Sequence, residues 1–308
     1  MNTTYAGGDI RDRLLTGFPA TQRRVDLAGI PTAVLEGGDG PPLVLLHGPG
    51  EFAATWARVL PDLMETHHVI VPDLPGHGAS EVGEGPLKAD RVLAWLGELI
   101  ELTCTSRPVL AGHLLGGAVA ARYACDHGDR LARLVLVDTY GLGRFRPAPR
   151  FALAMARFLA RPTQRAQDRL MGACMTDLDR LREQLGEQME LLEAYALDRA
   201  RSPGQKAALR SLMPEFAMTP IPPAGLARIA VPTSLIFGRH DLQVRLRVAE
   251  AASARYGWPL HVIEDAADDP AFEQPEAFLH ALRTEIGTPL HRTPYDHSGN
   301  GRPTMRRQ

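Results

Sequence analysis

The stretch RPVLAGHLLGGAVAARYA, Arg107 to Ala124, is laid out as a chain that presents a nucleophile: an apolar run, a bend framed by glycines, then an alanine-rich helical segment. The residue at the apex, Leu114, has no nucleophilic atom. Other short loops carry side chains able to move protons: HGPGEF from His47, DLPGHGAS from Asp73, DTYG from Asp138, GRHDLQ with Asp241, and DAADDP with Asp268 and Asp269. Lys88 and Lys206 are the only lysines, which argues against Schiff-base chemistry. Cys104, Cys125 and Cys174 are odd in number and show no C-x-x-C spacing, so neither a disulfide framework nor a zinc site is expected. Neither Asp73 with His77 nor His47 gives a recognisable metal-ligand spacing, so no metal is expected.

The elements that must position these loops are short apolar runs: TAVLEG, PLVLLHG, HVIVPDLPG, PVLAGH, LARLVLVDTYG, TSLIFGRHD and LHVIEDA. Consecutive apolar residues suit strands buried on both faces, and their alternation with helical patterns predicts an α/β fold on a mostly parallel sheet. Function in such sheets gathers at the carboxyl ends of the strands, where every one of those loops falls. From Gly143 to about Pro223 the strand pattern stops, and Leu178, Leu181, Leu185, Met189 and Leu192 recur at helical spacing. An inserted helical cap over the strand ends is expected there. The organisation is therefore a core of residues 20–142 and 224–287, a cap of 143–223, and a polar tail of 288–308, rich in Pro, Gly and Arg and expected to be disordered.

The chain has 308 residues, 44% of them hydrophobic, enough for one large α/β domain with an insertion. Net charge is −2 and the basic residues are scattered without a stripe, so no nucleic-acid partner is expected. No run reaches transmembrane length and the first residues carry charges where a signal peptide needs an apolar core, so a cytoplasmic protein with no membrane partner is expected.

Five motifs in order resemble the α/β-hydrolase fold superfamily, over roughly Arg23 to Ile286. LVLLHGPGEFAATW is similar to its strand and His-Gly loop, with His47, Gly48 and Trp56. VIVPDLPGHGAS resembles its Asp-x-x-Gly-x-Gly-x-Ser turn, with Asp73, Gly76, Gly78 and Ser80. AGHLLGG stands at its nucleophile elbow, FGRHD at its acid turn, and EDAADDPAFEQPEAF at its histidine turn. The resemblance implies an α/β-hydrolase fold, a mostly parallel central sheet flanked by helices with an inserted cap, and no cofactor.

Ester hydrolysis on that fold needs a nucleophile, an imidazole, an acid and two backbone N–H donors. Leu114 fills the nucleophile's place. Asp268 stands where the histidine belongs, and a carboxylate cannot relay a proton as an imidazole does. Pro49 follows His-Gly and lacks an N–H, although Gly50 offers one. The acid, Asp241, matches.

A conventional serine hydrolase is therefore not expected. If Asp241 and Asp268 inherit the acid and base places they face one another, one keeps its proton, and the pair can perform acid–base catalysis of a lyase, cyclase, dehydratase or isomerase type. Leu114 and Leu115, with His47, Gly48, Pro49 and Gly50, are then expected to line the substrate site. Two alternatives stand beside this: a pseudo-hydrolase that binds a small ligand or a protein partner, and residual hydrolysis through water. A small-molecule ligand or substrate is expected in either of the first two readings. His113 is expected to pack behind the elbow, and Asp138 to cap its loop.

Overall fold

The computed structural model describes residues 7–287; the tail expected at 288–308 lies outside the described residues. Eight strands form one sheet: β1 (Ala20–Leu27), β2 (Ile30–Gly37), β3 (Pro42–Leu46), β4 (His68–Pro72), β5 (Val109–His113), β6 (Arg133–Val137), β7 (Thr233–Gly238) and β8 (Leu260–Ile263). Their order is β1-β2-β4-β3-β5-β6-β7-β8. β1 and β2 pair antiparallel, as do β2 and β4, and every later pairing is parallel. The core helices are α1 (Gly7–Leu15), α2 (Leu60–Met64), α3 (Ala89–Thr103) and α4 (Leu114–His127). The insertion adds α5 (Pro149–Ala160), α6 (Gln164–Cys174), α7 (Leu178–Leu185), α8 (Glu187–Arg201) and α9 (Pro203–Leu212). The chain then closes with α10 (Pro223–Leu226), α11 (Leu246–Tyr256), α12 (Pro270–Glu273) and α13 (Pro275–Ile286).

The period-2 alternation of the strands divides the core in two. Val44, Leu46, Leu110, Leu134, Leu136, Leu235 and Phe237 face one side of the sheet, against Trp95 and Leu99 of α3 and Ala118 and Val119 of α4. Leu43, Leu45, Ala111, Val135, Val137 and Ile236 face the other, against Leu60 of α2 and Phe278 and Leu282 of α13. Such strands read as continuous apolar runs because both their faces are covered.

Two elements were not expected. β1 is an edge strand, ATQRRVDL, with a largely exposed face, so it carries no apolar run. α1 packs on α8, with Ile10 and Leu14 buried, so the ordered chain begins ahead of residue 20. Arg11 of α1 makes a buried ion pair with Asp73 at 2.9 Å, and Asp73 also accepts the N–H groups of Ala53 and Ala79. That aspartate ties the loops after β3 and β4 together.

The cap has its own small cores. Phe151, Ala154, Phe158 and Leu170 form one, and Leu181, Met189 and Phe272 another. Leu178, Leu185 and Leu192 pack against the second, as their spacing predicts, while Ala208, Leu212 and Phe216 join the main core. No described helix is long and apolar enough to cross a membrane.

Candidate active site

β5 ends at His113 and α4 starts at once, so the chain must reverse within one residue. Leu114 takes that turn with φ 44°, a left-handed conformation that costs an L-residue about 1–2 kcal/mol. The flanking glycines are sterically obligatory. A Cβ at Gly112 would lie 2.5 Å from the Gly116 carbonyl oxygen, and one at Gly116 would lie 2.4 Å from the Leu46 carbonyl oxygen. Gly116 N–H donates to the His47 carbonyl at 3.1 Å, and the Leu114 carbonyl accepts Tyr140 N–H at 3.2 Å. The elbow's backbone is complete, and its apex is a leucine 2% exposed.

Asp241 and Asp268 do come into one buried cluster, but not as a facing pair. Asp241 Oδ1 accepts Gln243 N–H at 2.6 Å and Oδ2 accepts Val244 N–H at 3.1 Å. The carboxyl that shares a hydrogen bond with Asp241 is Asp138, whose oxygens also accept Gly238 N–H. Asp138 is thus no loop cap. It closes the gap between the ends of β6 and β7, with φ 40°. The Gln243 side chain stands between the two expected partners: its Nε2 donates to Asp268 Oδ2, and its Oε1 accepts the Tyr140 hydroxyl at 2.5 Å.

Burial sets the protonation of this cluster. It pushes Asp241 up to about 7 against its two N–H donors. Burial and the Asp241 charge hold both Asp138 and Asp268 well above the ordinary carboxylate range. Asp138 is therefore a neutral acid donating to Asp241. Burial, then Asp268 and Asp241, pushes the Cys174 thiol up as well, so Cys174 is no thiolate nucleophile.

His113 does more than pack. Its ring, edge-on to Trp56, places Nδ1 3.2 Å from Glu51 Oε2 and Nε2 2.5 Å from the Asp268 carbonyl oxygen. Burial alone would lower its pKa. The carboxylates of Glu51 and Asp269 outweigh burial and raise it to about 10, so both ring nitrogens donate. The ligand atoms of Glu51, His113 and Asp269 lie within 4.8 Å of one another, close enough for a small cation, but the imidazolium already supplies the positive charge there. This trio links the loop after β3, the elbow and the turn after β8. Its members lie far apart in sequence, and no spacing announces them.

Glu51 also occupies the expected oxyanion loop, accepting Gly48 N–H at 2.6 Å beside Pro49. His47 is fully buried and satisfied: Nδ1 donates to the Gly48 carbonyl and Nε2 accepts Leu74 N–H. Burial lowers its pKa, so it stays neutral.

A cavity of about 370 Å³ opens to one side, between the segment after β6 and the loop after β7. Tyr140 and Gln243 belong to its polar wall, Phe145 and Val248 to its apolar wall, and Arg144, Arg146, Arg245 and Arg247 surround it. None of Leu114, Leu115, His47, Gly48, Pro49 and Gly50 lines it, nor do Asp241 and Asp268. Leu114 is buried, and the open space lies beside the elbow.

A sequence model of the alpha/beta hydrolase family matches residues 43–281. The chain belongs to the alpha/beta hydrolase family. Among curated relatives, the pimeloyl-[acyl-carrier protein] methyl ester esterase of Aeromonas salmonicida is 27% identical over 256 residues, 81% of this chain and 97% of that protein. The magnesium-chelatase 30 kDa subunit of Rhodobacter capsulatus is 31% identical over 227 residues, 71% of this chain and 76% of its own. Among solved structures, a carboxylesterase from Bacillus subtilis aligns with a TM-score of 0.78 at 20% identity, covering 91% of this chain and 97% of that one. The 2-hydroxy-6-oxo-6-phenylhexa-2,4-dienoate hydrolase of Rhodococcus sp. strain RHA1 aligns at 0.74 and 24%, covering 86% and 98%. These two likenesses establish the fold.

Proposed function

We propose that this chain is a small-molecule-binding member of the alpha/beta hydrolase family that has given up acyl-enzyme chemistry. The observation that carries the reading is the apex of the elbow. Leu114 holds the strained conformation of a nucleophile, yet it is buried and apolar, and the cavity opens elsewhere, over Tyr140 and Gln243. No serine, thiolate or imidazole meets a ligand there, and Asp241 and Asp268 spend their oxygens on Gln243, Val244 and Asp138. An acid–base lyase, cyclase, dehydratase or isomerase acting through those two carboxyls gains less support, because neither lines the cavity. Names among the relatives agree with a family that extends past ester cleavage, since a chelatase subunit stands beside an esterase.

A fluorophosphonate probe, a panel of acyl esters and a thermal-shift screen of small molecules test this together. Expected are no labelling, no hydrolysis, and saturable rises in Tm that vanish in Val248→Trp, which fills the cavity. A second reading, hydrolysis by water without a covalent intermediate, is favoured by the esterase and hydrolase names of relatives. It displaces the first if an ester is turned over and Asp268→Asn abolishes turnover while binding persists.

A further inference from the structure

The cavity has an unusual charge arrangement. Arg144 and Arg146 reach it from the segment after β6, and Arg245 and Arg247 from the start of α11. No Asp or Glu lines it, and among the described residues none of these four guanidiniums has a hydrogen-bond or ion-pair partner. Arg245 is half-buried, and its Nε is enclosed with no acceptor. Arg144, Arg146 and Arg247 are exposed around the cavity, so their free guanidinium donors are open to an acceptor that arrives with a ligand. The backbone points the same way. α11 runs for 11 residues, and its first turn has neither a capping side chain nor an acid, which leaves its positive end unmatched. Phe145 and Val248 supply an apolar wall on which an organic body can lie.

We propose that this cavity binds a phosphate-bearing small molecule, its phosphate held by Arg144, Arg146, Arg245 and Arg247 and its organic body lying against Phe145 and Val248. The proposal rests on the reading of this cavity as a ligand site. Four guanidiniums present more donors than one carboxylate can accept, whereas a phosphate monoester offers three oxygens and close to two negative charges. The Tyr140 hydroxyl, which donates to Gln243 Oε1, still has an oxygen lone pair to accept from a polar group on the body.

Isothermal titration with phenyl phosphate, inorganic phosphate, phenylacetate and phenol tests it. Phenyl phosphate is expected to bind at least tenfold more tightly than each of the other three, with an affinity that falls steeply as salt rises. Arg245→Gln and Arg144→Gln are each expected to weaken phenyl phosphate at least tenfold without lowering Tm, since neither side chain has a partner to lose. Arg150→Gln, on the exposed start of α5 and outside the cavity, is expected to leave affinity unchanged. Equal binding of phenol and phenyl phosphate, or unchanged affinity in Arg245→Gln, overturns the phosphate assignment while leaving the cavity as a ligand site. Equal binding of inorganic phosphate overturns the role of the organic body, and no binding of any probe overturns both readings.

Discussion

Asp138→Asn should leave the protein as stable as the parent at pH 6, whereas Asp138→Ala should cost roughly 2–6 kcal/mol. The difference follows from what Asp138 does. It is a protonated acid that donates to Asp241 and accepts Gly238 N–H, in a left-handed conformation. An asparagine reproduces all three: its oxygen accepts Gly238 N–H, its amide donates to Asp241, and it tolerates positive φ better than most residues. An alanine reproduces none. It strands a buried N–H and removes the donor to the Asp241 carboxyl, each worth about 1–3 kcal/mol. The pH dependence sharpens the test. Asp241 is raised from 3.8 to about 7, so the folded state holds more protons than the unfolded one across that window. Its contribution to stability is present below 3.8 and lost as pH rises through 7, at most about 1.4 kcal/mol per pH unit. Burial and Asp241 also raise Asp138 well above the ordinary carboxylate range, so it adds to the same loss as pH rises, and Asp138→Asn should remove that addition. Urea titrations at several pH values between 5 and 9 read both effects. If Asp138→Asn costs as much as Asp138→Ala at pH 6, Asp138 is ionised there and the neutral-donor assignment fails.

Other outcomes follow from single contacts. The β1–β2 hairpin turns on Ala28 and Gly29, both at positive φ, where Asn-Gly is preferred; Ala28→Asn should add about 0.5 kcal/mol and 1–2 °C in Tm, read by scanning calorimetry. Leu114→Ser should cost about 2–4 kcal/mol of stability in urea, because a buried leucine is lost, and should gain no phosphonate labelling, because Asp268 cannot relay a proton. Leu114→Ser with Asp268→His should label weakly, and adding Pro49→Gly should raise ester turnover on the order of 10²-fold by supplying a backbone donor; turnover unchanged by that third substitution refutes Pro49 as a defect. His113 is raised above 6.5 to about 10, so its contribution to stability is full below 6.5 and disappears as pH rises through 10. His113→Gln should therefore be destabilised at pH 6 and show a flatter stability curve between pH 7 and 10, measured by urea midpoints.

What was legible in the sequence follows the range of each interaction. The seven apolar runs all became strands, because burial on both sheet faces is written into consecutive residues. β1 escaped because an edge strand needs no apolar run, and α1 because its stripe of Ile10 and Leu14 is short. The helical spacing of Leu178 to Leu192 falls on helices inserted between β6 and β7. The elbow was legible through its glycines, each excluding a Cβ at under 3 Å. The trio of Glu51, His113 and Asp269 joins three distant loops and leaves no local trace. Gln243 was visible only as a residue after the acid turn, and its place between Asp241 and Asp268 depends on how that loop folds back. The arginines did leave a sign: Arg144 with Arg146, and Arg245 with Arg247, each two apart on the segments that wall the cavity.

The left-handed apex at Leu114 is supported by its own packing. A left-handed apex costs about 1–2 kcal/mol, and a serine there gains little from burial to offset it. A fully buried leucine contributes about 1.5–3 kcal/mol, which covers the strain. The turn is also fixed from outside, by glycines that admit no Cβ and by the hydrogen bonds of Gly116 to His47 and of Tyr140 to Leu114. An isobutyl group at the apex therefore makes the strained turn a self-supporting piece of core. The cavity opens beside the elbow, between the segment after β6 and the loop after β7, and Leu114 does not line it. There the buried acids connect to the cavity wall through Gln243, Tyr140 and Val244. A ligand held among the arginines, as proposed, would lie beside Tyr140 and Gln243.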